Sequence, residues 1–190
     1  IWTSPGRGGF EPQLSLSYDS GAGNGPFGFG WHLSLPSITR KTDKGVPRYI
    51  DSGESDVFLL SGVEDLVPVL EPDGRRFEDR ASAPGFTIHR YRPRVEGLFA
   101  RIERWTQQST GAVHWRSISR ENVTTIYGQD NSSRIYDPAD VNPDCPSRIF
   151  SWLICASYDD KGNAMIYEYA AEDDAKVDPY RASERNRSRS

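Results

Sequence analysis

Cysteine is nearly absent: Cys145 and Cys155 are the only two in 190 residues, too few to form a disulfide framework. Cys145 lies in the loop DCPS and Cys155 inside the apolar segment SWLICAS, so the chain would have to double back sharply for them to meet. Free thiols are expected, with Cys155 acting as a small buried hydrophobe. No window approaches the roughly eighteen consecutive apolar residues of a membrane-spanning helix. The amino terminus shows no charged-then-apolar signal pattern. It opens on Ile1-Trp2 without methionine, which suggests that residues precede it. A basic surplus is missing as well: the formal net charge is −4, which argues against a general affinity for nucleic acid or an anionic membrane. No stretch carries the 3.6-residue apolar period of a helix longer than a turn or two.

The groups that support metal or nucleophilic chemistry are also sparse. His32, His89 and His114 each sit in a strand-like segment without a second ligand type at metal spacing. Cys145 with a histidine would imitate a thiol nucleophile and its base, but its proline-flanked loop offers no helix amino terminus to activate a thiolate. Asp159, Asp160 and Asn163 lack the alternating spacing and terminal glutamate of a calcium loop, and a hairpin turn accounts for them. No metal and no cofactor are expected. The sequons at Asn122, Asn131 and Asn186 are read as incidental.

The chain is instead rich in turn-formers and aromatics, with 17 glycines, 13 prolines and 12% Phe, Trp and Tyr. That balance favours strands over helices. The organising stretch is PGRGGFEPQLSLSYDSGAGNGPFGFGWHLSLP, from Pro5 to Pro36. Leu14, Leu16 and Tyr18 alternate with serines and Asp19, and Trp31, Leu33 and Leu35 alternate with His32 and Ser34. Each reads as a strand with one buried face. Between them Gly21, Gly23, Asn24, Gly25, Pro26, Phe27, Gly28 and Gly30 form a turn region, and with Trp31 they are expected to be structural. A phosphate-cradling loop also needs closely spaced glycines, but it opens a helix, whereas Pro26 and aromatics follow here.

Downstream, short alternating segments recur at 37–40, 56–60, 66–70, 86–92, 99–105, 112–119 and 123–127, each closed by a turn signal. A proline-rich loop runs from Ile135 to Pro146. The most hydrophobic strand, 149–158, then pairs with 164–170 through Asp160, Gly162 and Asn163 in a tight hairpin turn. The predicted fold is all-β, an antiparallel meander of short strands or a barrel. Eight arginines between Arg75 and Arg104 alternate with Phe77, Tyr91, Phe99 and several acids. That pattern would suit single-stranded nucleic acid, but the interleaved acids favour a solvated sheet face. The domain is expected to span 1–180, with a polar tail at 181–190 that cannot fold alone.

The run PGRGGFEPQLSLSYDSGAGNGPFGFGW resembles the opening of the SpvB-like, toxin-complex B-component family of bacterial secreted toxins. The resemblance recurs at RIFSWLI and YDDKGNAMIYEY and covers essentially the whole chain. The terminal hairpin also resembles the tyrosine-aspartate repeats of Rhs-type proteins, although only one clear copy is present. The resemblance implies a segment of a curved Rhs-type β-shell that encloses a toxic carboxy-terminal cargo and helps deliver it. It implies as partners the downstream part of the same B-component chain, a C component, and a membrane-piercing A component reached through regions outside these residues. Neither nucleic acid nor direct membrane insertion is implied. A secreted, extracellular location follows, with a cytoplasmic stage before release. Some SpvB-like proteins carry an actin-modifying ADP-ribosyltransferase with a Ser-Thr-Ser strand and a Glu-x-Glu pair; neither occurs here, so no enzymatic activity carries over. Two other classes remain: a carbohydrate- or surface-binding β-domain using exposed Trp105, Trp115 and Tyr91, and a hydrolase or transferase without a visible signature.

Overall fold

The computed structural model describes residues 1, 3, 5–21, 24–25, 27–53, 55–62, 64–95, 100–137, 139–170, 178 and 180–181. Its strands are β1 (Leu16–Tyr18), β2 (Asn24–Gly25), β3 (Gly28–Phe29), β4 (Trp31–Leu33), β5 (Ser37–Arg40), β6 (Phe58–Leu60), β7 (Glu64–Pro68), β8 (Glu78–Asp79), β9 (Phe86–Pro93), β10 (Arg101–Gln107), β11 (Val113–Ile118), β12 (Thr124–Tyr127), β13 (Arg134–Tyr136), β14 (Ile149–Tyr158) and β15 (Ala164–Ile166). Helical structure among the described residues is confined to 3₁₀ turns at Arg7–Gly9, Asp51–Gly53 and Asn131–Ser133. No helix among them is long and apolar enough to cross a membrane.

Eight strands follow one another antiparallel around a ring in the order β5, β6, β7, β9, β10, β11, β12, β14, and β14 pairs back onto β5. The fold is therefore an all-β antiparallel meander closed into a barrel. With β8, β13 and β15 appended, the ring makes up the eleven-stranded sheet. Closure leaves the ring itself without edges, the usual aggregation hazard of sheets. β14 is the hub. One of its edges holds β12 and β13 end to end, and the other holds β5 and β15. This near-continuous apolar strand suits a position covered on both sides.

The barrel is filled by its own side chains. Trp115 and Trp152 are fully buried, and Phe58 lies between them with ring centroids 4.9 and 5.8 Å away. Tyr91 packs 5.0 Å from Trp115, and the Trp152 indole N–H donates to the Val113 carbonyl at 3.1 Å. Offset and edge-on aromatic contacts of this kind add to the burial of large apolar areas.

Several expectations need correction. The organising element is β14 and its ring, not the 5–36 stretch, whose β1–β4 and β2–β3 pairs form separate two-stranded sheets. Leu16, Tyr18 and Trp31 do not form a buried face: each is more than two-fifths exposed, and the β1–β4 pair stands as a sheet separate from the barrel. Trp115 and Tyr91 are core residues, so they carry no surface recognition. Arg104 is buried and not solvated, because its strand turns it into the barrel. The 135–146 loop begins within β13, which is held by pairing to β14. The hairpin partner of β14 ends at Ile166, short of Ala170.

Candidate functional site

Two features stand out: a charged end of the barrel and an uncovered aromatic arm. The charged end lies where β9, β11 and β14 begin and β5 and β10 finish. Period-two alternation puts Ile38 and Arg40 on one face of β5, and Arg40 is buried to 2% exposure. A buried guanidinium must have its donors satisfied. Its Nε donates to the Ile149 carbonyl at 2.7 Å, and its terminal nitrogens donate to Asp51 at 2.7 and 3.1 Å and to Asp56 at 2.9 Å. The guanidinium carbon also lies 4.8 Å from the ring centre of Tyr49 and 5.2 Å from that of Phe58. Arg104 shares Asp51 from the opposite side of the ring, donating to Oδ2 at 2.6 Å.

Asp56 also accepts from the backbone N–H groups of Arg48 and Tyr49, each at 2.8 Å. Burial pushes its pKa up, but these amides and Arg40 outweigh that and hold its carboxyl below the ordinary value. Outside this network a cleft of about 1140 Å³ is lined by Arg104, Thr106, Thr87, His89, Arg76 and Glu78, among others. Burial, followed by the charges of Arg76 and Arg104, lowers the His89 pKa against the opposing pull of Glu78. On the outer wall His114 is held to about 4, first by burial and then by Arg134 and Arg116. It packs against Phe86 and Trp105.

The arm carries the glycine-rich residues. Gly21 donates to Asp19 at 2.9 Å. Asn24 and Gly25 form β2 and pair with Phe29 and Gly28. Gly23 and Pro26 lie outside the described residues. Gly30 has φ +77°, and a Cβ there would come within 2.6 Å of the Tyr18 ring and 2.9 Å of the Asp19 carbonyl. Trp31 pairs with Tyr18 across the strands, with ring centroids 5.3 Å apart. Phe27 and Phe29, which precede Trp31 in the chain, are exposed as well. At the other end of the chain Asp159 accepts from the backbone N–H groups of Lys161 and Asn163 at 2.9 Å, and the Asn163 side chain donates to it at 2.7 Å. Gly162 takes φ +84° in that turn, and Asp160 stands between Asp159 and Lys161.

The three histidines occupy β4, β9 and β11. No group of three or more His, Cys, Asp or Glu able to hold a metal exists among the described residues. Cys145 donates to the Thr110 carbonyl and Cys155 to that of Ile126, and both are free. The Arg40, Asp51 and Asp56 network escaped sequence reasoning. Its one signal was that Arg40 shares the face of Ile38 in a half-buried strand.

Residues 1–190 all match the family described as Salmonella virulence plasmid 65kDa B protein, SpvB. The chain belongs to the SpvB family. It is 35% identical over 177 residues to a protein named mono(ADP-ribosyl)transferase SpvB of Salmonella typhimurium, covering 90% of this chain and 29% of that protein. The chain thus spans under a third of this curated SpvB relative. The solved amino-terminal domain of effector protein SpvB from Salmonella typhimurium strain LT2 superimposes with a TM-score of 0.77 at 34% identity, over 93% of this chain and 55% of that one. A complex named TcdB2-TccC3 matches with a TM-score of 0.73 at 33% identity, over 90% of this chain and 8% of the other. The match lies in the amino-terminal domain of SpvB and in a small part of TcdB2-TccC3.

Proposed function

We propose that this chain is a non-catalytic wall module of an SpvB-like or toxin-complex B component. It forms part of a β-sheet shell that encloses a toxic cargo and helps deliver it. The observation that carries this reading is the contrast between a barrel filled by its own tryptophans and an arm whose aromatics are left uncovered. A barrel packed with Trp115, Trp152 and Phe58 has no room for a passenger, so its contribution lies in its outside surfaces. Contiguous exposed aromatics on a soluble protein mark a surface that another protein covers. The likeness to a small part of TcdB2-TccC3 supports a covering surface supplied by the downstream B-component chain and a C component. Glycines 21, 23, 25, 28 and 30 serve that arm as structural residues, and Asp160, Gly162 and Asn163 shape the terminal hairpin. In keeping with this role the module works outside the bacterium after a cytoplasmic stage, without entering a membrane or binding nucleic acid.

Radical footprinting of the chain alone and of the assembled B and C components tests the reading. Oxidation of Tyr18, Phe27, Phe29 and Trp31 should fall at least several-fold in the assembly, while buried Trp115 stays silent in both. Equal oxidation of the arm in both states would overturn the wall role.

A further inference from the structure

Strands β9, β10 and β11 together carry five arginines and one acid, Glu103. Arg104 is buried in the barrel, and the other four, Arg90, Arg92, Arg101 and Arg116, turn outward. The strand pairing fixes this. Glu103 stands directly opposite Arg90 on one side and Arg116 on the other, so all three share a face. Arg101 and Arg92 lie two residues along the same strands from Glu103 and Arg90, just past the buried pair Ile102 and Tyr91. The outer wall over these strands is thus a cluster of four guanidinium groups around a single carboxylate.

That carboxylate is engaged from within. The Glu103 side chain is 5% exposed; its Oε2 accepts from the Trp105 indole N–H at 3.0 Å, and its Oε1 faces Arg101 Nε at 3.0 Å and Arg90 Nε at 3.9 Å. Arg92 and Arg116 are left over: among the described residues neither makes a hydrogen bond or an ion pair. Arg92 is exposed. Arg116 lies over the Trp105 ring at 5.6 Å with only its Nε buried, which leaves its terminal nitrogens open to solvent. Arg90 is propped in the same way over Phe77 at 4.2 Å. A second carboxylate that acts on Arg90, that of Asp79, already accepts from the Ser82 hydroxyl and the amides of Ala81 and Ser82. The result is a positive wall on a protein whose formal net charge is −4.

Its chemistry selects among anions. The Trp105 and Phe77 rings are already covered by guanidinium groups, so the wall offers no free stacking platform for nucleic acid. The acidic balance of the whole protein works against an extended anionic bilayer. Guanidinium forks match carboxylates two bonds at a time. Arg90 and Arg92 repeat about 7 Å apart along β9, which is also the spacing of alternate side chains on an extended chain. Arg116 adds a second row about 10 Å across the sheet.

We propose that this wall binds an extended acidic segment of a partner protein, one with a carboxylate at every second residue, and that Arg92 and Arg116 are its main contacts. The surface is separate from the aromatic arm, and the proposal stands whether or not that arm is covered. Exposed ion pairs are individually weak, so several must act together and salt must weaken them.

Fluorescence anisotropy on the intact protein tests this with the labelled peptide (Glu-Thr)4. Its block isomer Glu4Thr4, a heparin tetrasaccharide and the oligonucleotide dT8 serve as comparators. Binding of (Glu-Thr)4 should weaken about tenfold between 50 and 300 mM NaCl. Arg92→Gln and Arg116→Gln should each weaken it about threefold, and the double variant about tenfold. Arg92→Gln severs no internal contact and should melt like the parent protein. Arg75→Gln, which removes the same charge beside the cleft, should leave the affinity unchanged. Four outcomes would each overturn the proposal: no binding of (Glu-Thr)4, equal binding of the block isomer, tighter binding of heparin or dT8, or equal losses in Arg75→Gln and Arg92→Gln.

Discussion

Gly128 sits at the turn after β12 with φ +63°, and a Cβ there would meet Trp152 at 2.3 to 2.8 Å. Its N–H donates to the Leu153 carbonyl, and its own carbonyl accepts from the buried Arg134 Nε, both at 2.8 Å. Two penalties therefore coincide, a left-handed backbone and a clash with a fully buried tryptophan. Gly111 has the same sign of φ, +77°, but open space around its Cβ position. Replacing each with alanine separates the two effects. Gly111→Ala should cost about 1 kcal/mol, from backbone strain alone. Gly128→Ala should cost about 3 kcal/mol or more, since overpacking adds to the strain. Chemical denaturation of both variants measures the difference, and equal losses would show that the Trp152 contact is not what demands glycine. From the sequence Gly128 read only as part of a turn, because nothing local reveals that Trp152, distant in the chain, lies against it.

Along the ring the strand pairings are unequal. β9 and β10, and β10 and β11, are each joined over six residue pairs, whereas β14–β5, β5–β6, β6–β7 and β7–β9 are joined over three. Fewer ladder bonds protect less backbone, so local opening should start in the short-stranded half. Native-state hydrogen exchange should find the amides of β5, β6 and β7 opening at lower free energy than those of β9, β10 and β11. Uniform protection around the ring would show instead that closure makes all eight strands one unit. The same inequality explains what the sequence revealed. β14 was legible to the residue, because ten apolar and small residues between turn signals permit little else. The long alternations of β9 and β11 were nearly as clear. Closure of β14 onto β5 was invisible, since Ser151 and Thr39 meet across more than a hundred residues and neither carries a pairing signal. The face of β1 was misjudged for a related reason. Alternation tells which residues share a side, but not how fully that side is covered, and Leu16 and Tyr18 stay 42% and 57% exposed.

For the whole molecule, the Arg40 network ties together parts that the ladder leaves weakly joined. Arg40 reaches from β5 to the first residue of β14, to the 49–56 loop through Asp51 and Asp56, and, by way of Asp51, to Arg104 on β10. It thus spans the short-stranded half and braces it against the long-stranded one. This brace has a pH signature. The folded-state pKa of Asp56 lies below 3.8, so its contribution is fully present above the unfolded value and is lost as pH falls through the folded one. Below that point the buried Arg40 loses one of its two carboxylate partners and keeps Asp51. Asp56→Asn keeps the size and one acceptor oxygen but removes the charge. It should destabilise the protein by about 2 kcal/mol at pH 7, the scale of a hydrogen bond to a charged group, because Arg40 keeps Asp51 as a carboxylate partner. The gap to the parent should shrink as pH falls below 3.8, because acid removes the same charge from the parent. Urea unfolding of both proteins at pH 7, 5, 4 and 3, followed by tryptophan fluorescence and far-ultraviolet circular dichroism, provides the measurement. A gap that stays constant down to pH 3 would mean that Asp56 acts by shape and backbone hydrogen bonding alone, and that the brace across the barrel does not depend on its charge.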